Sequence, residues 1–207
     1  MMARIVKAER LSNSRDKYVL HFDDKTELTV TESLMVSFNL FPGRELGGDE
    51  LKSLKSELES QKVRARAAAM VAARPLSEQE LKRKLIQKGS SEQDAEEAAN
   101  WLAELGAVND LEYAQALVRH YSSKGYGKAK IRDEFWKRGI PREIWDEALA
   151  DYSANEESIF RFIEARLKKG ADRREIKRVS DALYRRGFSW DEIRSALNRY
   201  VGELPEE

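Results

Sequence analysis

A decapeptide pattern comes round three times in this chain, at residues 80–89 (ELKRKLIQKG), 130–139 (KIRDEFWKRG) and 178–187 (RVSDALYRRG). Each copy sets apolar residues four apart, Leu81 and Leu85, Ile131 and Phe135, Val179 and Leu183, followed by one or two basic residues and a glycine. That spacing predicts an amphipathic helix stopped by a glycine just past its end, with cations in the last turn facing the negative end of the helix dipole. The three glycines lie 50 and 48 residues apart, which is a repeat period.

The repetition runs on past each glycine. Residues six, nine and thirteen further along are Ala95, Ala98 and Leu102, then Trp145, Ala148 and Tyr152, then Ile193, Ala196 and Tyr200. They lay an apolar stripe down a second helix. Helical stretches at residues 63–73, 111–122 and 158–168 precede the decapeptides, so each period reads as a three-helix unit. A unit this small buries little core alone, and neighbouring units are expected to share an apolar face.

Ahead of the repeats, residues 3–31 have strand character. Tyr18, Leu20 and Phe22 alternate with Val19 and His21, and Asp23, Asp24 and Lys25 supply a polar turn to a following run, residues 27–31. Three short strands are marginal by themselves and should pack on the segments C-terminal to them. Thr31 is placed to cap a short helix over residues 32–38, which Phe41-Pro42-Gly43 ends. Asp49 is placed to cap a long helix that nothing breaks before Arg74-Pro75. Its seam is Leu51, Leu54, Leu58, Val63 and Ala67, and it could break near Ser60, where leucines give way to alanines. Within the repeats, Ser77 with Glu80 is a capping-box pattern, Asn109 or Asp110 and Ser189 are further caps, Pro141 falls in the first turn of a helix, and Gly125-Tyr126-Gly127 and Gly170 separate helices.

The expected fold is therefore mainly α: an elongated tandem of three three-helix, helix-turn-helix-like repeats with a small N-terminal β-hairpin or three-strand extension. Residues 1–48 would be that extension with its short helix, 49–106 the long connecting helix and first repeat, 107–153 the second repeat, and 154–207 the third.

Net charge is zero, with 37 basic and 37 acidic residues, so the distribution of charge carries the information. From Gly89 to Val118 there are seven acids and no Lys or Arg; from Arg119 to Arg199 there are 20 basic and 14 acidic residues. This reads either as solvated helix faces or as a polyanion-binding surface beside an acidic patch. The chain has no Cys, which removes disulfides and thiolate chemistry. Its longest purely apolar run, residues 67–73, is far short of a membrane span, and its first residues lack the apolar core of a signal peptide. A soluble cytoplasmic protein without a membrane partner is expected.

Catalysis needs a constellation, and two histidines with no HExxH, GxSxG or Gly-rich phosphate loop supply none. His120 reads as a surface or boundary residue. Adjacent carboxylates such as Glu96/Glu97, Asp133/Glu134 and Glu156/Glu157 diverge by about 100° on a helix and do not converge on a substrate. Neither an enzyme nor a cofactor or metal site is expected.

What remains is surface. The third decapeptide helix turns Ile176, Val179 and Leu183 inward and carries Arg174, Lys177, Arg178, Asp181 and Arg185 opposite, with Arg173 and Arg186 nearby. Guanidinium groups in that density suit phosphate contacts. The middle copy offers Lys128, Lys130, Arg132, Lys137 and Arg138, and the first Lys82, Arg83, Lys84 and Lys88. The competing reading is that these cations complement helix dipoles and keep the surface soluble. Phe135, Trp136, Trp145, Tyr184, Phe188 and Trp190 stand mostly at core-compatible offsets, although such rings could stack bases. Tyr126, in its glycine-flanked loop, is the expected exposed exception.

Several segments resemble the RecX regulatory proteins of bacteria. They are Arg74-Pro75-Leu76-Ser77-Glu78 with Glu80-Leu81, Lys84-Leu85 and Lys88-Gly89; Gly106 to Asp110 with Tyr113-Ala114; and Lys124 to Gly127 with Lys130-Ile131, Glu134-Phe135 and Arg138-Gly139-Ile140. The likeness covers roughly residues 60–187, and the hairpin and the LFPGREL stretch are similar to an N-terminal extension of some members. Where the family pattern often has proline and then arginine before the isoleucine, this chain has Lys128 and Lys130, which keep the charge and lose the arginine fork. The resemblance implies a protein that lies along the groove of the RecA filament on single-stranded DNA and restrains its extension, ATP hydrolysis and strand exchange in recombination and repair. The partners expected are RecA and DNA directly, and with no long dimer seam in view the protein is expected to be a monomer. Two rival readings are an independent helix-turn-helix-like DNA-binding protein or repressor, and a scaffold for protein interactions.

Overall fold

The computed structural model describes residues 2–150, 152, 156–168 and 171–202. The chain divides into two compact units, Met1–Arg66 and Ala67–Glu207.

In the first unit, the alternating runs form strands β1 (Ala3–Arg10), β2 (Lys17–Phe22) and β3 (Glu27–Thr31). A fourth strand, β4 (Glu45–Leu46), completes an antiparallel sheet of order β3-β2-β1-β4. Alternation sends Leu20 and Phe22 into the core with Ile5, Val30, Leu34 and Leu46, while His21 lies on the other face between Glu9 and Glu27 at 3.2 and 3.0 Å. Helix α1 (Glu32–Ser37) is capped by Thr31 as expected, the Leu34 N–H donating to its hydroxyl at 3.4 Å. Helix α2 (Gly48–Ala73) is continuous through Ser60. It opens two residues earlier than an Asp49 cap would require. The Leu51 N–H already donates to the Gly47 carbonyl, which leaves the Asp49 and Glu50 carboxylates in the first turn, at the positive end of the dipole. Leu54 and Leu58 on α2 close the sheet's core.

The second unit holds the repeats. Helices α3 (Glu78–Gln87) and α4 (Glu92–Glu104) pack on each other, burying Leu81 and Leu85 and, on α4, Ala95, Ala98, Ala99 and Leu102. In the second repeat, α5 (Asp110–Ser123) and α6 (Lys128–Arg138) are followed by a 3₁₀ turn (Arg142–Ile144) and a single turn, α7 (Trp145–Ala148). Pro141 thus precedes a 3₁₀ turn and not the α-helix expected there. Ile131, Phe135, Ala148, Leu149 and Tyr152 share one core with Ala114, Leu117 and Val118. The third repeat comprises α8 (Glu156–Glu164), α9 (Arg173–Arg185) and α10 (Trp190–Gly202), around Ile159, Ile163, Val179, Leu183, Phe188 and Ile193. Gly170 lies outside the described residues. No helix among them is long and apolar enough to cross a membrane.

The caps are local and specific. Ser77 accepts from the Glu80 N–H at 3.0 Å, but the Glu80 carboxylate is taken by Arg74 at 2.6 Å, so only one arm of the expected box forms. Asn109 caps α5, accepting from Leu111 and Glu112. Ser189 and Glu192 exchange both bonds of a box, and so do Asp172 and Glu175 at the start of α9.

The repeats join through the decapeptide helices, end to end. At the start of α6, the Gly127 N–H donates to the Arg186 carbonyl at 2.9 Å and the Ala129 N–H to the Gly187 carbonyl at 3.1 Å. At the start of α3, the Ser77 hydroxyl donates to the Arg138 carbonyl, and Arg83 Nη2 reaches the Lys137 carbonyl at 3.0 Å. At α6 the backbone donors that a helix leaves free at its beginning meet the acceptors that α9 leaves free at its end, and at α3 two side-chain donors serve the carbonyls at the end of α6. Gly187 (φ +90°) turns the chain in the left-handed region, as Gly89 and Gly139 do after their helices.

Gly127 has an ordinary φ of −83°, yet a Cβ there would lie 2.1 Å from the Gly187 carbonyl oxygen. Gly127→Ala is therefore expected to force α6 and α9 apart and to lower stability by about 1–3 kcal/mol. Urea unfolding followed by tryptophan fluorescence reads this directly, since all four tryptophans lie in the second unit. A loss below about 0.5 kcal/mol would mean that the two ends are not in contact in solution.

Candidate functional site

The three decapeptide helices look alike in charge, but the structure uses their cations differently. On α3, half-buried Lys82 sits between Glu78 at 2.8 Å and Glu96 at 3.3 Å, and Arg83 is spent on the Lys137 carbonyl. Lys84 is half-buried and Lys88 is exposed.

On α6, Lys130, Lys137 and Arg138 converge on Glu134 at 3.4, 3.0 and 2.7 Å. Arg138 Nε also donates to the Tyr113 hydroxyl at 3.1 Å. Glu134 is 7% exposed, and burial alone would raise its pKa. Hydrogen bonds from Lys137 and Tyr121, together with the charges of Arg138 and Lys137, outweigh that and lower it to about 2. Lys128 lies over the Tyr152 ring at 5.2 Å, and exposed Arg132 faces Asp146 at 3.4 Å. The middle group is thus largely an internal charge network organised by one buried carboxylate.

On α9 the arrangement differs. Arg173, Arg174, Lys177, Arg178 and Arg185 are all exposed, and among the described residues none is held in a salt bridge. Arg173 and Arg174 open the helix, at the positive end of its dipole, where a cation costs about 0.3–1 kcal/mol in place of contributing it. Folding stability gives no reason for them. Arg186 belongs to the interior instead: its guanidinium lies over the Phe162 ring at 4.8 Å and the Tyr126 ring at 5.4 Å, and donates to the Gly125 carbonyl at 3.4 Å. The sequence-predicted cations therefore separate into a set that ties repeats together and a set on α9 that faces outward.

The aromatic expectations need correcting. Tyr126 is half-buried, not exposed, because its ring meets the edge of Tyr121 at 5.6 Å, Arg186 covers it, and its carbonyl accepts from the Tyr152 hydroxyl at 3.3 Å. Phe135 and Phe188 are core, and Trp145 is half-buried with its Nε1 donating to the Ile140 carbonyl. Trp136, Tyr184 and Trp190 are instead 69%, 54% and 49% exposed. The signal for this was in the decapeptide: Trp136 and Tyr184 each follow a buried apolar residue directly, about 100° round the helix from it. His120 is exposed, as expected. Among the described residues no group of three or more His, Asp or Glu is placed to hold a metal ion.

Glu134 generates a pH dependence. Its folded pKa, about 2, lies below the ordinary 4.5, so the stability it contributes is fully present above about pH 4.5 and is lost as pH falls toward 2. Linkage sets an upper bound of about 3 kcal/mol for this contribution. Glu134→Gln should flatten the stability curve across that interval and leave three cations facing one another, measurable by urea unfolding at a series of acid pH values.

Two family models match the repeats. The one described as "RecX, second three-helix domain" matches residues 109–149, and "RecX, third three-helix domain" matches residues 157–197. The chain is similar to the regulatory protein RecX of Caldanaerobacter subterraneus subsp. tengcongensis, 28% identical over 96% of this chain and 98% of that protein. It is also similar to a regulatory protein RecX of Pseudomonas putida, 33% identical over 66% of this chain and 89% of the relative. Among solved structures, a crystal structure of regulatory protein RecX matches 97% of this chain and 100% of its own with a TM-score of 0.78. That of RecX from Lactobacillus salivarius matches 69% of this chain and 97% of its own with a TM-score of 0.64. At 23% identity each of these two structures shows a shared fold.

Proposed function

The chain belongs to the RecX family of regulatory proteins, and on that premise we propose that it binds the RecA filament on single-stranded DNA and restrains its extension, ATP hydrolysis and strand exchange. The observation that carries this reading is the outward cationic face of α9, five exposed Lys and Arg side chains with no salt bridge among the described residues. Such a face suits a polyanion or an acidic protein surface, and its strength should fall steeply with salt. Three linked repeats offer many weak contacts to one polymeric ligand, which effective concentration multiplies into useful affinity. Regulation of this kind asks for no catalytic group in the regulator, and the protein acts as a monomer.

The triple variant R174E, R178E, R185E tests the proposal. Helix content should stay as it is, because the three side chains are exposed. Inhibition of RecA ATPase on single-stranded DNA should require at least about ten-fold more protein, since like charges then face the partner. Unchanged inhibition would remove the α9 face from the reading. A preference for one duplex sequence, with no effect on RecA, would favour the independent DNA-binding protein instead.

A further inference from the structure

The seventh residue of each decapeptide is large and exposed: Ile86 at 41%, Trp136 at 69% and Tyr184 at 54%. In the third repeat Tyr184 is joined by Trp190, whose ring stacks on it with centroids 5.0 Å apart and planes inclined by 17°. About half of each ring remains open to solvent. Trp136 has no ring or hydrogen-bond partner among the described residues. None of these rings belongs to a core cluster of the described residues, so packing does not account for them.

Their surroundings are charged. On α9, Arg173, Lys177 and Tyr184 fall within about 40° of one another round the helix, and Arg185 follows the ring. Trp136 has Arg132 four residues before it, paired with Asp146, and Lys137 beside it, bonded to Glu134. Carboxylates are present too: Asp181 and Asp133 each stand three residues before a ring, and Asp191 beside Trp190 faces Arg194 at 3.9 Å. Protein–protein interfaces also gather Tyr, Trp and Arg, but they are depleted of Lys, Asp and Glu, which here stand close to the rings as Lys177, Lys137, Asp181, Asp133 and Asp191. Isolated flat rings set among cations match instead the recognition of unpaired bases, in which aromatic faces stack bases and basic groups follow the phosphates.

We propose that the Tyr184–Trp190 pair is a base-stacking platform for single-stranded nucleic acid, with Trp136 as a second station one repeat away. The platform takes bases whose faces are open and so discriminates against a duplex, whose base faces are covered. It needs DNA alone and stands apart from any contact with RecA.

The test titrates the full chain with oligothymidylate, and with a duplex of equal length, at low salt, following intrinsic tryptophan fluorescence and the anisotropy of labelled DNA. Stacking on Trp190 and Trp136 should quench their emission. Y184A/W190A should lose about ten-fold or more in affinity for oligothymidylate and stay within about two-fold on the duplex. W136A should give a smaller loss, and Y184F should bind as the parent does. Because the rings are exposed, thermal unfolding should not move. Unchanged oligothymidylate affinity in Y184A/W190A overturns the proposal, and a simultaneous loss of RecA inhibition would assign the rings to a protein partner. Lost oligothymidylate binding with RecA inhibition intact supports the platform and leaves the filament reading where it stood.

Discussion

The start of one decapeptide helix lies on the end of another, and the packing of the repeats depends on that junction. Every α-helix leaves backbone N–H groups unpaired at its beginning and carbonyls unpaired at its end, and burying either without a partner is costly. In this protein Gly127 and Ala129 at the start of α6 give their N–H groups to Arg186 and Gly187, while Ser77 and Arg83 of the first repeat serve the carbonyls of Arg138 and Lys137. Asp110 joins the second junction, accepting from the Glu78 N–H at 2.8 Å. Burial raises the Asp110 pKa, though that bond pulls the other way. Units of about 48 residues, too small to hold a large core, are thus bound through polar ends as well as apolar faces.

That junction also sorts the charges. Around it, cations are internal equipment: Arg83 ties α3 to α6, Glu134 gathers Lys130, Lys137 and Arg138, and Arg186 lies over the Phe162 and Tyr126 rings. Away from it, on α9, cations stand in solvent and some of them oppose the helix dipole. Equal density of Lys and Arg in the sequence therefore hides two different physical jobs.

Much of the fold could be read from spacing, because the four-residue step of Leu81/Leu85, Ile131/Phe135 and Val179/Leu183 is a local property of helices. Caps at Ser77, Asn109 and Ser189 were equally local. The end-to-end bonds were not legible: they join groups more than fifty residues apart in the chain, and their only trace was a glycine, Gly127, whose role as a separator was visible and whose close approach to Gly187 was not. The shortening of the expected third helix of repeat two to α7 after a 3₁₀ turn was missed because the apolar stripe Trp145, Ala148, Tyr152 fits either geometry. The two-residue strand β4 is too short to have a pattern. Charge reading failed to separate Lys137 from Arg185, which occupy the same decapeptide position, since only the structure shows that the first is paired with Glu134 and that the second, among the described residues, is in no salt bridge.

The direction of the junctions sets an order on the chain. Helix α6 needs the carbonyls at the end of α9, and the Glu78 N–H of α3 needs the Asp110 carboxylate of the second repeat, so each of the first two repeats is completed by one synthesised after it. During translation the N-terminal repeats wait with bare N–H groups for acceptors not yet made, whereas α9 waits for nothing, its first turn being closed by its own Asp172–Glu175 box. Losing a repeat from the two ends of the chain is consequently unequal in kind. Removal of the last leaves buried donors stranded at Gly127, while removal of the first merely uncovers carbonyls that water can reach.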